Sequence, residues 1–218
     1  MMVDANALFG MWGMRTPGIG NGDTIDACAA HPDRLRGLCV ANPKSDLTDP
    51  LEQMARCRDA GFVGLRLSPQ HGYSYADTEL LAPVIERAAE YDWPVWASLC
   101  VVQSTPHGAQ SPGALGPLLD AWPEVPFIVT GVTYVNRIDA LRVLRPRKNA
   151  RIDLATLQSV FCVEALCEDL GADRVVLGTG FAIHCYSVTL EKVRRAEISD
   201  EERAAVVAGN VAALIDLG

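Results

Sequence analysis

From about residue 35 to the end, short apolar runs alternate with amphipathic stretches, and that alternation leaves few folds open. The runs Leu35–Pro43, Phe62–Pro69, Trp93–Cys100, Pro126–Tyr134, Ala150–Leu157 and Arg174–Gly180 have the length and β-branched content of strands. Helices are expected at Asp49–Ala60, stopped by Gly61, and at Asp77–Tyr91, where Leu80, Leu81, Val84, Ile85 and Ala88 form one face. Further helices are expected around Pro112–Trp122, Arg137–Leu144 and Phe161–Leu170. A last one starts at the capping box Ser199-Asp200-Glu201-Glu202. Strands apolar on both faces and separated by helices predict a parallel sheet with helical cover.

Counting Val3–Phe9 as a strand gives seven, one short of a closed eight-stranded barrel. The gap falls between Phe9 and Leu35, where Trp12–Gly22 is glycine-rich and shows neither period. Either one β/α unit is abbreviated near the N-terminus, between about Arg15 and Gly20, or a segment of the natural protein is absent there. An open doubly wound sheet is the competing architecture. The 218 residues make one domain, 1–218, and hydrophobic residues at 49% supply a core. A net charge of −8 argues against nucleic acid as a partner, and no apolar run approaches a membrane span. Seven widely spaced cysteines and a start without signal-peptide character predict reduced thiols and a cytoplasmic location.

Five segments in order carry a resemblance. They are His31-Pro-Asp-Arg-Leu-Arg-Gly-Leu38, Ala60-Gly-Phe-Val-Gly-Leu-Arg-Leu-Ser-Pro69, Asp92-Trp-Pro-Val95, Leu170-Gly-Ala-Asp-Arg-Val-Val-Leu-Gly178 and Gly209-Asn-Val-Ala212. Together they resemble the amidohydrolase-2 group of barrel hydrolases. The resemblance implies a TIM-like (β/α)8 barrel with its site at the C-terminal ends of the strands. It also implies a divalent metal held by a His-x-His pair, two single histidines and an aspartate. The matching positions here carry Asn6, Leu8, Ser98, Gly131 and Gly180, none of which is a good ligand. The start Asp4–Gly10, with Gly64–Leu67, His71–Tyr73 and Gly178–Gly180, resembles a divergent branch that lacks the ligands as a group. No metal or other cofactor is expected.

Strand alternation turns Arg66 inward if Leu65 and Leu67 face the helices. Arg66 then binds a substrate carboxylate, or pairs with an inward acid such as Asp4 or Asp153. His71 and Tyr73 follow in the next loop as acid–base and hydrogen-bonding candidates, and with Arg66 they form the catalytic set. Asn6, Ser98, Gln103 and His184 are the substrate-binding candidates; His31 and His107 read as structural or loop residues. The leading expectation is a metal-independent hydrolase of a small carboxylated substrate, such as a lactone. The alternative is a non-catalytic barrel serving as a partner or regulatory subunit, or binding a small molecule. A homo-oligomer is expected under either.

Overall fold

A computed structural model of the chain describes residues 2–7, 17–45, 47–68, 72–100 and 109–215. Six parallel strands form one sheet in sequential order: β1 (Leu38–Val40), β2 (Gly64–Leu67), β3 (Val95–Ser98), β4 (Phe127–Thr130), β5 (Ala150–Asp153) and β6 (Val175–Val176). A doubly wound sheet reverses its strand order at a switch point; this one never does, which is the barrel's connectivity. Every expected strand from residue 35 onward is present but shorter than its apolar run, because the ladder is lost as the chain bends into each loop.

Alternation along the strands builds two interiors. Leu65, Leu67, Val95, Ala97, Phe127, Val129, Ile152, Val175 and Leu177 point outward into the main core beneath the helices. Trp96, Ile128 and Val176 point the other way and pack with Ala5 and Val211 in a second cluster. One face can bring β3, β4 and β6 together with both chain ends only if the sheet curls around it, so this second cluster is the barrel interior.

The helices cover the outer face: α1 (Pro17–Ala30), α2 (Pro50–Asp59), α3 (Thr78–Glu90), α4 (Leu115–Ala121), α5 (Arg137–Leu144), α6 (Cys162–Leu170) and α7 (Tyr186–Arg195). The chain closes with α8 (Asp200–Ala204), a π-helical turn, and α9 (Asn210–Ala212). The side chain of Asp49 caps α2 through the Leu51 N–H, and the Ser199–Glu202 capping box opens α8.

Three expectations need correction. The described part of the Val3–Phe9 segment is not a strand, yet it lies beside the last one. Ala5 N–H donates to Leu177 O at 2.8 Å and Gly180 N–H to Asn6 O at 2.7 Å. The Asp4 carboxylate accepts the Asn6 and Thr179 N–H groups, which draws the chain into a turn after two such bonds. Secondly, part of the glycine-rich stretch is helical, since the described part of α1 includes residues 17–22. Its buried Asn21 accepts the Val40 N–H at Oδ1 and donates from Nδ2 to Val40 O, both at 2.9 Å. One amide side chain thus pairs with the β1 edge where a neighbouring strand would. Thirdly, α7 lies where no helix was expected. Among the described residues no helix is long and apolar enough to cross a membrane.

Candidate functional site

The C-terminal ends of the strands gather polar side chains from distant parts of the sequence. Leu65 and Leu67 do face the helices, so Arg66 enters the barrel, where it is 8% exposed. Its Nη1 donates to Asn6 Oδ1 at 2.8 Å, and Asn6 Nδ2 donates to Asp153 Oδ2 at 2.6 Å. Of the two readings of Arg66, the acid partner is Asp153 rather than Asp4, joined to it through the Asn6 amide. The rest of the guanidinium makes no hydrogen bond to a described residue.

Asp153 is wholly buried, and its Oδ1 has no hydrogen-bond partner among the described residues. Burial pushes its carboxyl up to about 6. The Asn6 hydrogen bond and the Arg66 charge oppose that rise, Asp4 adds to it, and the Ala155 backbone lowers it again. Burial likewise lowers the Arg66 guanidinium, against the attraction of Asp153. The Cys100 thiol is raised by burial and by Asp153.

Ser98 is buried, and its Oγ accepts a bond from Thr130 Oγ1 at 2.9 Å; Tyr75 donates its hydroxyl proton to Ser98 O at 2.7 Å. Tyr73 is buried in the main core and its phenol oxygen accepts the Ser68 N–H at 2.9 Å. Burial raises its pKa. The structure thus brings Arg66 together with Asn6 and places Tyr73 in the packing beneath the following loop. His184 lies after β6 with Nε2 enclosed and unpartnered among the described residues. His71, Gln103, His107, Leu8 and Arg15 lie outside the described residues.

Asp153 is the residue that the sequence reading undervalued, weighing it only as a partner for Arg66. The signal was available: in Ala150-Arg151-Ile152-Asp153, outward Ala150 and Ile152 force Asp153 inward. Thr130 and Thr179 were missed for want of any chemical signature.

The described strand-end residues do not group as metal ligands. Among the described residues no three His, Cys, Asp or Glu side chains group closely enough to hold one. Two of the positions at which the resemblance implies ligands also lack room for a side chain. A Cβ on Gly131, at φ +79°, would lie 2.5 Å from Cys100 O, and one on Gly180, at φ +65°, 2.6 Å from His184 Cδ2. Neither a histidine at 131 nor an aspartate at 180 enters without moving its neighbours. The Arg66 guanidinium is bonded to Asn6, at the position where the resemblance implies the first ligand.

Solved structures share this architecture. An uncharacterized TIM-barrel protein from Bordetella bronchiseptica superposes with a TM-score of 0.73 at 16% identity, over 92% of this chain and 74% of that one. The 5-carboxyvanillate decarboxylase of Sphingomonas paucimobilis gives 0.69 at 17%, over 90% and 71%. A probable 2-pyrone-4,6-dicarboxylic acid hydrolase from Acinetobacter baumannii, with citric acid bound, gives 0.64 at 14%, over 89% and 78%. At these identities the likeness is one of fold. A search of curated proteins returned no match. The amidohydrolase family model, by contrast, matches residues 14–217, and with the barrel and its strand-end site in place the chain belongs to that family.

Proposed function

We propose that the protein is a hydrolase of small carboxylated substrates, lactones above all, that works without a metal. The observation carrying this reading is Asp153 Oδ1, an enclosed acceptor with no partner, held near a guanidinium whose N–H groups are only partly used. A buried acceptor left unsatisfied costs about 1–3 kcal/mol, which a bound water or substrate group removes. In this reading the remaining Arg66 donors take the substrate carboxylate and Asp153 moves the proton. A carboxyl near 6 is ionised over half the time at neutral pH and close enough to it to exchange protons. The structural neighbours offer support of one kind: the names of two of them specify carboxylated compounds.

The test is turnover of a panel of carboxylated lactones, aromatic and aliphatic, in buffer containing a chelator. Chelator-resistant hydrolysis that loses ten-fold or more in kcat/KM in Arg66→Met supports the reading. Hydrolysis abolished by chelator, or indifferent to Arg66, refutes it.

A second reading, a non-catalytic barrel in an assembly, is favoured by a different observation. Asp153 is fully enclosed, while Tyr134, Val135, Val160, Phe161 and Phe181 lie exposed in the loops after β4, β5 and β6. A stable interface over that rim buries about 1,000 Å² or more. Sedimentation at micromolar concentration separates the two: a strict monomer argues against the assembly.

A further inference from the structure

Two side chains that each carry an enclosed, unpartnered polar atom, Asp153 (Oδ1) and His184 (Nε2), adjoin glycines of the segment that follows the last strand. A Cβ on Gly178 would lie 2.3 Å from Asp153 Oδ2, and one on Gly180 would lie 2.6 Å from His184 Cδ2. The acid and the imidazole thus occupy, from other elements, the space that side chains at 178 and 180 would fill. Asp153 thus meets position 178 and His184 position 180, so the gap between the two groups spans neighbouring positions of one segment. Phe181, Ala182, Ile183 and Cys185 are exposed around His184, yet its Nε2 is sealed inside. The loop is held by the Ile183 and His184 N–H groups, both donating to Gly180 O, so the ring's inward position is built into the turn. Asp153 Oδ1 is the matching orphan on β5. Leaving both an acceptor and a ring nitrogen buried without partners lowers stability, and a molecule bridging them would restore it.

We propose that Asp153 and His184 form a proton-transfer pair across this gap, with Gly178 and Gly180 kept small to admit them. The pair rests on the hydrolase reading above and supplies its two proton steps. The Asp153 carboxylate takes a proton from a water whose oxygen bonds to the lactone carbonyl carbon. The ring C–O bond breaks, and its oxygen takes a proton from the His184 imidazolium. One water is added in total, and the proton then held by Asp153 passes through solvent back to His184. Other charged or titratable groups face Asp153: Arg66 from β2, Asp4 from the N-terminal segment, Cys100 after β3 and Lys192 from α7. Tyr75 faces Arg66, and Cys185 and Tyr186 flank His184 in sequence.

Nuclear magnetic resonance titration tests the pair without any substrate. The chain has four histidines, so the His184 Cε1 proton is assignable by its loss in His184→Gln. Removal of the Asp153 charge in Asp153→Asn is expected to lower the His184 midpoint by more than about 0.2 unit relative to the parent protein. Reciprocally, the Asp153 carboxyl carbon titrates at higher pH in His184→Gln, which covers the case of an unfolded Asp153 variant. Changes below about 0.2 unit in both directions overturn the pair. Turnover without this coupling removes the pair and leaves the hydrolase; coupling without turnover removes the hydrolase and leaves the pair's geometry.

Discussion

Asn6 donates to Asp153 Oδ2 at 2.6 Å across 147 residues of sequence, and its other amide atom accepts from Arg66. A neutral side chain thereby separates a buried cation from a buried anion and satisfies one atom of each. Asn6 stands where the resemblance implies that a metal-binding pair begins, and here its amide joins the two charged side chains.

Removal of that bridge is expected to be severe. Asn6→Ala strands the Arg66 Nη1 donor and both Asp153 oxygens in the barrel, and stability falls by about 3 kcal/mol. Urea unfolding of the variant and the parent measures it; a loss under about 1 kcal/mol shows that the two charges do not depend on Asn6.

The pH dependence follows from Asp153. Its folded pKa, about 6, lies above the ordinary carboxylate value of 3.8, so the folded state holds the proton more tightly. The stabilisation is complete below about pH 4 and is lost as pH rises through 6, by about 3 kcal/mol for a two-unit shift. Asp153→Asn removes this contribution. Its stability relative to wild type is expected to improve steadily from pH 4 to pH 7.5 in denaturant titrations. A constant difference over that range contradicts the raised carboxyl.

Asn21 offers a test of the β1 edge. Asn21→Ala leaves the Val40 N–H and C=O without partners and opens a cavity under α1, with an expected loss of about 2–3 kcal/mol. Hydrogen exchange at the Val40 amide is expected to rise by about a hundred-fold. Unchanged protection there means that another group covers the edge.

Restoring the family's ligand types should not restore a metal. Gly131→His with Gly180→Asp forces side chains into the Cys100 backbone and the His184 ring at positive φ. Zinc bound per chain, measured by elemental analysis after dialysis, is expected to stay below about 0.1. A stoichiometric ion held by the double variant contradicts this closure of the old site.

Much of the fold was legible because its causes are local. Apolar runs broken by amphipathic stretches specify parallel strands and covering helices, and the side-chain period of two turns Leu65 outward and Arg66 inward. The absence of metal-ligand residue types at Asn6, Ser98, Gly131 and Gly180 could likewise be read once the family's strand register was recognised. Where local signals were weak the reading failed. Gly20 and Gly22 hid α1, whose stability comes from Asn21 on β1 and Ile25 against the core rather than from helix propensity.

Residue types and their periods, then, determined the layers, and the resemblance they carry implied a barrel and non-ligand residues at positions 6, 8, 98, 131 and 180. The tertiary structure decided that Asn6 meets both Arg66 and Asp153, that Asn21 stands in for a strand, and that His184 occupies the space beside Gly180. Those contacts join residues many positions apart through the curl of the sheet and the path of single loops. No local period encodes that curvature, and the curl of the sheet brings the ends of different strands to one place.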